Sequence, residues 1–481
     1  MNITQLEPQV IWKNFAALNA VPRPSKKEEK VIAFMKDFGN QLSLETIVDE
    51  VGNVIIRKPA TPGMENRKPV VLQSHLDMVH QKNNDVDFDF ETQGIEMEIQ
   101  DDWVKAKGTT LGADNGLGVA AIMALLESSD IPHPALEALF TIDEETGMTG
   151  AIGLKPGQLQ GEILLNLDTE EDDEIDIGCA GGVDVTASQK YSTQKPEGQP
   201  VRITIKGLQG GHSGMDIHKN FGNANIILGR LLYPGIDQNI QLISIDGGGL
   251  RNAIPREATA LFTVNNAEEF LKKATVLAQE IKDEFAATEK DLEITAEKSA
   301  VKEEAAVSEQ DSKKIILALK AVHNGVYRMS PDVEDLVETS NNVARVELKD
   351  GQLKIMNLSR SSVESGKTAV AEQLRSVFEL AGMEVECTGS YPGWKPKPGS
   401  EIVKVMEKIY ENRFGAKPNV VACHAGLECG IIGAHYPKME MVSFGPTIRG
   451  AHSPDEKANI PSVQKFWGFL KEILAHIPER N

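Results

Sequence analysis

The sequence predicts an α/β protein whose first and last segments form one domain and whose middle is an inserted α+β segment. Short, fully apolar runs alternate with helical segments over the first 180 residues, which is typical of a mostly parallel sheet flanked by helices. From residue 183, strands with one polar face alternate with long charged helices. After residue 390 the patterns resemble the first segment again. We therefore divide the chain into 1–182, 183–390 and 391–481.

The first elements are a helix and a hairpin. Ser25 and Glu28 have the spacing of a capping box before the periodic run KVIAFMKDF, which predicts a helix. The runs ETIVDE and NVIIRK flank a turn at Val51-Gly52-Asn53 and predict an antiparallel hairpin. Three apolar runs follow, VVLQ, ALEALFTI and ILLNL, and they predict the buried strands of the parallel sheet.

The middle segment has a different pattern. Runs such as VRITIKGL and ARVELKDGQLKIMNLS alternate polar and apolar residues, which predicts antiparallel strands, and EEFLKKATVLAQEIKDEF predicts a helix. We interpret this part as two βαβ-type lobes. It ends at GSYPGWKPKPGS, which is rich in Gly, Pro and Ser, and the helix IVKVMEKIYENRFG and the strand MEMVSFGP follow.

Composition excludes several classes of function. The 50 Lys and Arg residues against 71 Asp and Glu give a formal net charge of −21, so nucleic acids and anionic membranes are repelled as partners. We find no apolar run near the roughly 18 residues of a membrane span. The four cysteines include no CxxC pair, and this favours a reducing compartment. We therefore expect a cytoplasmic protein.

Metal-binding side chains follow each of the three apolar strands. Because the carboxyl ends of strands in an open α/β sheet border the ligand crevice, these side chains are predicted to converge. Taken singly, each has an ordinary alternative, because an acidic residue at a strand end is usually a solvated turn residue. The groups are His75 and Asp77 after the first strand, Asp143, Glu144 and Glu145 after the second, and Asp168 after the third.

Two further candidates lie in glycine-rich loops. Asp114 stands in LGADNGLG before an apolar helix, where a helix N-cap is the alternative reading. His452 lies in GAHSPDE beyond another apolar strand. A mixed set of histidines and carboxylates suits Zn²⁺ or Mn²⁺, and two ions that share a carboxylate would lie about 3.5–4 Å apart.

The neighbouring acids Glu144 and Glu145 can divide two tasks. Adjacent side chains on an extended or turning segment point in different directions. One carboxylate can therefore bind a metal ion while the other acts as a general base toward water. An acidic turn without any function is the alternative.

Eight motifs follow one another along the chain: SHLDMV, GADNGLG, DEETGMTG, NLDTEE, GGHSGMDI, RNAIPRE, HAGLECG and GAHSPDE. In this order they resemble the M20 metallopeptidases, and within them the bacterial aminoacyl-histidine dipeptidases. The resemblance implies that the first and last segments form a zinc-peptidase catalytic domain and that the insertion is a lid domain. It covers the chain from the first helix to the last forty residues.

The resemblance also implies a centre with two Zn²⁺ ions per chain, for which Co²⁺ or Mn²⁺ can substitute. The implied ligands are His75 and Asp168 for one ion, Glu145 and His452 for the other, and Asp114 as the bridge. Glu144 is implied as the general base and Asp77 as the carboxylate that orients His75. A cis peptide bond is implied between Asp114 and Asn115.

Four residues of the lid and its surroundings are implied to contact substrate. His212 corresponds to the donor to the oxyanion. Asn252 and Arg360 correspond to residues that bind the C-terminal carboxylate of the substrate, and Gly426 to a backbone contact there. From the residues alone, His212 could be an incidental histidine at a hairpin tip, and Arg360 an exposed charge. No role follows for His424 or Glu428, and we expect buried thiols at Cys423 and Cys429.

The implied activity is the zinc-dependent hydrolysis of a broad range of unblocked dipeptides, including Xaa-His. The expected partners are dipeptides, in a monomer or homodimer in which His212 acts within its own chain. Alternatives are a related M20 aminoacylase, deacetylase or carboxypeptidase, or a catalytically dead metal- or peptide-binding protein. Glu144 and Asp77 argue against the dead protein, because a binding module needs no general base.

Overall fold

The computed structural model describes residues 2–300 and 305–480, which form two compact units. The first unit comprises Met1–Gly178, Pro396–Ala422 and Leu427–Asn481, and the second comprises Cys179–Lys395 and Cys423–Gly426. The chain therefore leaves the first unit for a long insertion and returns to it. The second unit also takes four residues from the C-terminal segment.

Helices and short strands alternate in the first part of the chain. In order they are α1 (Gln9–Asn19), α2 (Glu29–Gln41), β1 (Glu45–Val48), β2 (Val54–Lys58), β3 (Val70–His75), β4 (Met97–Gln100), β5 (Trp103–Ala106), α3 (Ala113–Glu127), β6 (Leu136–Thr141), α4 (Thr149–Gly153), β7 (Ile163–Asn166) and β8 (Glu174–Cys179). Helix α3 is apolar on all sides and packs against α1 and β3, so it is buried along most of its length.

The insertion contains long antiparallel strands and four helices among its described residues. They are β9 (Gly181–Lys190), β10 (Thr193–Gln194), β11 (Gln199–Lys206), α5 (Ala224–Leu232), β12 (Gln241–Gly248), β13 (Ala258–Val264), α6 (Ala267–Glu284), β14 (Glu293–Lys298), β15 (Ala306–Val307), α7 (Glu309–Ala321), β16 (Gly325–Met329), β17 (Val337–Lys349), β18 (Gln352–Ser361), α8 (Glu364–Leu380) and β19 (Glu384–Tyr391). Both halves of the insertion contribute to one sheet, in the order β14-β11-β13-β12-β17-β18-β9-β19, with β16 on β17. The two predicted lobes therefore share a continuous sheet.

The C-terminal segment completes the first unit. Its elements are α9 (Glu401–Phe414), β20 (Asn419–Cys423), α10 (Glu428–His435), β21 (Glu440–Ser443), β22 (Ile448–Arg449), β23 (Lys457–Asn459) and α11 (Ile460–Ala475). Strands β22 and β23 join β5 and β4 in a small antiparallel sheet. Short 3₁₀ helices lie at Ile3–Gln5, Ile217–Lys219 and Tyr233–Gln238.

The large sheet of the first unit has the order β1-β2-β6-β3-β7-β21-β8-β20. Its four central strands, β6, β3, β7 and β21, are parallel, whereas β1, β2 and β8 pair antiparallel at the sides. Strand β21 comes from the C-terminal segment and extends the parallel part. The predicted fold class is therefore confirmed, with the parallel strands concentrated at the centre.

Two local predictions have different outcomes. The hairpin is confirmed, because β1 pairs antiparallel with β2 from Glu45 opposite Arg57. The capping box is wrong: α2 begins at Glu29 without a side-chain cap, and the Ser25 hydroxyl donates instead to the Asp77 carboxylate at 2.8 Å. Among the described residues, no helix combines the length and apolar character that a membrane crossing requires.

Candidate metal centre and polar site

The carboxyl ends of the parallel strands bring the predicted side chains together. Strand β3 pairs in register with β6 and β7, so that His75 lies opposite Thr141, and Gln73 opposite Asn166. The acids that follow β6 and β7 consequently lie beside His75. The side chains therefore meet at the edge of the sheet where the sequence predicted that they would converge.

Asp114 divides its two carboxylate oxygens between two histidines. Its Oδ1 atom lies 3.2 Å from His75 Nε2, and its Oδ2 atom lies 3.2 Å from His452 Nε2. The Asp114-Asn115 peptide bond is cis, as the resemblance implied, and Asp114 has non-helical backbone angles within the first turn of α3. An N-cap is not its role, because Gly112 occupies that position.

Each histidine faces a second acid. Asp168 Oδ1 lies 3.4 Å from His75 Nε2, and Glu145 Oε2 lies 3.0 Å from His452 Nε2. Two groups of three side chains, which share Asp114, each place their ligand atoms within 4.8 Å of one another. A third such group combines His75 with Glu144 and Glu145. The donor set is therefore suited to two neighbouring divalent ions.

The charge of this site supports binding of cations. Burial raises the pKa of Asp168 to about 6, and the hydrogen bonds that His452 donates to Asp114 and Glu145 raise the pKa of His452 to about 11. Burial lowers the pKa of His75, but Asp168 and Asp114 outweigh this effect and raise it well above its usual value. Protonated imidazoles are thus stabilised because the surrounding carboxylates attract positive charge. Divalent ions can satisfy the same demand.

Among the proposed ligands, two buried carboxylate oxygens make no hydrogen bond to a described residue. They are Glu145 Oε1 and Asp168 Oδ1, one from each side of the bridging Asp114. A buried carboxylate oxygen without a partner is costly unless it is protonated or binds a cation. These residues therefore fit a pair of metal ions.

Asp77 contacts both His75 and the acidic turn after β6. Its Oδ1 atom lies 3.4 Å from His75 Nδ1 and accepts the Glu144 N–H at 3.0 Å, while Oδ2 accepts the Glu145 N–H at 3.3 Å. Burial raises the pKa of Asp77, but His75 and Ser25 outweigh it and lower the pKa below its usual value. One buried carboxylate therefore contacts both His75 and the Glu144-Glu145 backbone.

The acidic turn after β6 is held by side-chain hydrogen bonds and is partly buried. Asp143 has a positive φ of 53° and accepts hydrogen bonds from the hydroxyls of Thr146 and Thr149. Only 3% of the Glu145 side chain is exposed. Burial, together with Asp168 and other nearby acids, raises the pKa of Glu144 well above its usual value. A solvated acidic turn does not describe this segment.

A chain of hydrogen-bonded polar side chains, which we call the ladder, runs across neighbouring strands of the sheet. Glu428 Oε2 accepts hydrogen bonds from Gln73 Nε2 at 2.7 Å and from Thr141 Oγ1 at 2.6 Å. From Gln73 the ladder continues along hydrogen-bonded side chains that belong to or follow the next strands. These are Asn166, Ser443, Thr169 and Asp176. Glu428, to which the sequence assigned no role, therefore belongs to this buried network.

The second unit contains His212 in a glycine-rich loop. His212 Nδ1 accepts hydrogen bonds from the N–H groups of Gly214 at 3.2 Å and Met215 at 3.1 Å. The ring proton is therefore on Nε2, which is free to donate. Burial, together with Arg360, lowers the pKa of His212, so its neutral form is favoured.

The other predicted substrate residues also lie in the second unit. Asn252 accepts the Ser213 N–H through its backbone oxygen at 2.8 Å, beside His212. Arg360 is 5% exposed, with its Nη1 donating to the Tyr391 hydroxyl at 3.1 Å and its Nε without a hydrogen-bond partner. Arg360 is therefore not an ordinary exposed charge.

The loop that carries Gly426 contains a buried histidine. A Cβ atom on Gly214 would lie 2.1 Å from the His424 carbonyl oxygen, so this loop packs closely on the His212 loop. His424 Nε2 bonds to Ser340 Oγ at 2.7 Å, and burial lowers the pKa of His424 to about 3. Cys429 is buried as expected, whereas Cys423 is only half-buried because it lies at an accessible strand end.

Two buried charged residues beside the Asp114 loop were missed by the sequence patterns. Arg23 is 1% exposed and Glu456 is 2% exposed. Glu456 is the last residue of the GAHSPDE motif, which was the one signal in the sequence that could have drawn attention to it. Arg23 lies in no motif that we recognised.

The chain is similar to known peptidases over almost its full length. A profile of the peptidase family M20/M25/M40 matches residues 71–476. The cytosol non-specific dipeptidase of Escherichia coli K12 is 45% identical over 483 residues, which cover 99% of each chain.

Solved structures share the fold. The aminoacylhistidine dipeptidase of Vibrio alginolyticus is 44% identical, with a TM-score of 0.94 over 100% of this chain and 99% of the other. An aminopeptidase of Bacillus cereus ATCC 10987 is 17% identical, with a TM-score of 0.58 over 98% of this chain and 99% of the other. The second likeness concerns the fold alone.

Proposed function

The chain belongs to peptidase family M20/M25/M40, and from that premise we propose that it is a zinc-dependent dipeptidase acting on unblocked dipeptides, Xaa-His among them. It is a hydrolase of peptide bonds, as its close relatives are. The name of the E. coli relative supports a cytoplasmic location. We further propose that the active form is a monomer or a homodimer.

One observation carries this proposal. Asp114 directs its two oxygens to His75 and His452, at 3.2 Å each, and a further acid lies beside each histidine. Two ions that share a bridging carboxylate match this arrangement of donors. We assign His75 and Asp168 to one ion, Glu145 and His452 to the other, and Asp114 to both.

Divalent ions bound by these residues supply Lewis acidity that polarises the peptide carbonyl and favours ionisation of water. Glu144 accepts a proton from the attacking water and passes it to the leaving amine. Asp77 supports this step because it holds the Glu144 N–H and His75 at the same time. Glu144 and Glu145 can have different roles, general base and metal ligand, because adjacent side chains on a tight turn point in different directions.

Residues of the second unit bind and stabilise the substrate. His212 donates its Nε2–H to the carbonyl oxygen that gains negative charge, which its acceptor bonds at Nδ1 support. Arg360, with Asn252 and the Gly426 backbone, binds the terminal carboxylate, because a buried guanidinium that forms no ion pair with any described acid suits that ligand. His212 acts on substrate bound by its own chain.

Metal removal and a base variant test the proposal together. Treatment with EDTA should abolish hydrolysis of a panel of Xaa-Xaa and Xaa-His dipeptides, and added Zn²⁺ should restore it. Glu144→Gln should bind two equivalents of Zn²⁺ like the wild type, while kcat falls by at least about 100-fold. This value is the lower end of the rate enhancement that a general base contributes. Blocked dipeptides and N-acyl amino acids in the same panel test for an aminoacylase or carboxypeptidase. A wild-type protein that binds Zn²⁺ but cleaves no dipeptide would refute the proposal.

A further inference from the structure

Glu456 binds the backbone that leads into Asp114. Its Oε2 atom accepts the N–H groups of Leu111 at 2.7 Å and Gly112 at 2.9 Å, and its Oε1 atom accepts those of Ala113 at 2.7 Å and Asp114 at 3.2 Å. Four consecutive amides thus converge on one carboxylate. These amides include the first N–H groups of α3, which have no partner within the helix.

Glu456 connects the loop that carries His452 with the loop that carries Asp114. Glu456 follows His452 by four residues and donates its own N–H to the Ser453 carbonyl at 3.0 Å. The loop that carries one ligand therefore holds the loop that carries the bridging ligand, although about 340 residues separate them in sequence. A shift of either loop would change the distance from Asp114 to His452.

Arg23 holds the same loop from its carbonyl side. Its Nη2 atom donates to the Gly112 carbonyl at 2.6 Å, and its Nη1 atom donates to the carbonyls of Leu76 at 3.0 Å and Asp77 at 3.1 Å. A Cβ atom on Gly112 would lie 2.5 Å from Nη2, so glycine permits this close approach. Arg23 thereby ties the Asp114 loop to the segment that follows His75.

We propose that Glu456 is a positioning residue for the bridging carboxylate, with Arg23 as its partner on the opposite side of the loop. The inference rests on the proposed metal centre. Glu456 and Arg23 fix the backbone at residues 111–114, so that the Asp114 oxygens face His75 and His452 before any metal binds. Ligands that are already held in place bind metal more tightly, because they lose less conformational entropy on binding.

The variant Glu456→Gln tests the inference through metal binding. It keeps the size of the side chain but replaces one acceptor oxygen with an NH₂ group that faces backbone N–H donors. Apo-protein titrated with Zn²⁺ alone, in competition with a chelator, should show affinity about 10- to 100-fold weaker than the wild type. The Co²⁺-substituted variant should also show an altered visible absorption spectrum, because the geometry at Asp114 changes.

The matched control is Glu137→Gln. Glu137 is also buried and accepts two backbone N–H groups, from Gln160 at 2.6 Å and Gly161 at 2.8 Å, at the opposite end of β6 from the ligands. Glu137 also pairs with Arg57 at 3.0 Å, so the two variants are compared by Zn²⁺ affinity and not by the size of their loss of thermal stability. A purely structural role of Glu456 predicts unchanged Zn²⁺ affinity in both variants. We expect Glu137→Gln to bind Zn²⁺ and Co²⁺ like the wild type.

The outcomes separate this inference from the proposed function. If the wild type binds no Zn²⁺, the metal centre itself is wrong, and the inference falls with it. If the wild type binds Zn²⁺ and Glu456→Gln matches its affinity and Co²⁺ spectrum, only the inference is overturned. Should Glu456→Gln fail to fold, Glu456→Asp replaces it, because it keeps the charge and both oxygens on a shorter stem. Glu456→Asp should still bind Zn²⁺ more weakly than the wild type, and equal affinity would overturn the inference.

Discussion

At the scale of single residues, buried carboxylates in this protein act through backbone N–H groups as well as through charge. Asp77 accepts two amides of the Glu144-Glu145 turn, and Glu456 accepts four amides of the Asp114 loop. Burial of such acids costs desolvation energy, which hydrogen bonds to the ionised form reduce. They outweigh it for Asp77, whereas burial still raises the pKa of Glu456 to about 7. Their identity therefore affects the geometry of neighbouring ligands that they do not themselves provide.

The Asp77→Asn variant should lower activity through position. Its NH₂ group would face the Glu144 N–H in one orientation of the amide and the Glu145 N–H in the other, so at least one of these two hydrogen bonds is lost. We expect kcat/KM on a dipeptide to fall about 10- to 100-fold, the range for residues that orient ligands. Ser25→Ala removes one hydrogen bond but leaves the carboxylate, so its effect should be smaller. Equal activity of Asp77→Asn and wild type would contradict this role.

Asp176 should make stability depend on pH. Burial raises the pKa of Asp176 to about 7, although the Thr169 hydroxyl donates to it at 2.8 Å. In the unfolded chain its pKa is about 3.9, so the stabilising contribution is complete below pH 4 and is lost as pH rises toward about 7.

The Asp176→Asn variant measures this contribution. The variant cannot ionise at this position, so it does not lose stability through this group as pH rises, whereas the wild type does. The Tm of Asp176→Asn minus the Tm of the wild type should therefore increase between pH 4 and pH 7 and then level off. Thermal melts across this range check the prediction. Asp85→Asn removes the same formal charge from an exposed loop and should show no such trend. A constant Tm difference for Asp176→Asn would show that the carboxyl is not held protonated by burial.

At the scale of elements, the close approach of α3 to the sheet supports both the fold and the site. A Cβ atom on Gly118 would lie 2.5 Å from Ser74 Oγ, 2.7 Å from the Leu167 carbonyl oxygen and 2.8 Å from Asn115 Oδ1. These neighbours lie beside the ligands on β3, after β7 and on α3. Helix α3 thus needs glycine at this position to bring Asp114 near His75.

Gly118→Ala should therefore destabilise the protein although alanine favours helices. The added methyl group has no room, and overpacking of this kind costs about 1–3 kcal/mol. Urea unfolding measures the loss. Gly399→Ala is the control, because no atom lies within 4 Å of a Cβ atom there, and it should leave the unfolding free energy nearly unchanged. Equal stability of the two variants would mean that α3 can shift without penalty.

Patterns in the sequence predicted the elements that local chemistry determines. Alternation and turn residues predicted the hairpin of β1 and β2, and apolar runs predicted β3, β6 and β7 with the proposed ligands at their ends. The capping box failed because Ser25 has a better partner in Asp77, 52 residues away. The contacts of Glu456 and Arg23 were not predictable, since they join backbone groups of distant segments and follow no period.

At the scale of the whole molecule, the proposed metal ligands and the proposed substrate-binding residues belong to different units. The first unit carries all five proposed metal ligands, and the second carries His212, Asn252, Arg360 and Gly426. Each unit has its own buried apolar cluster. The net charge of −21 is shared by exposed acids and by the buried carboxylates of the site. Because only the first unit holds that buried cluster of acids, metal binding should affect its stability more than that of the second unit.

Removal of metal should lower the Tm of the first unit. A ligand that binds only the folded state adds about 2.7 kcal/mol of stability when its free concentration is 100 times Kd. Differential scanning calorimetry with Zn²⁺ and with EDTA should show one transition that moves to lower temperature in EDTA, while a second transition stays in place. The Asp114→Asn variant removes the charge of the bridging ligand and should lose most of the EDTA effect. Identical melting curves of the wild type in Zn²⁺ and in EDTA would show that the carboxylates of the site are stabilised without metal.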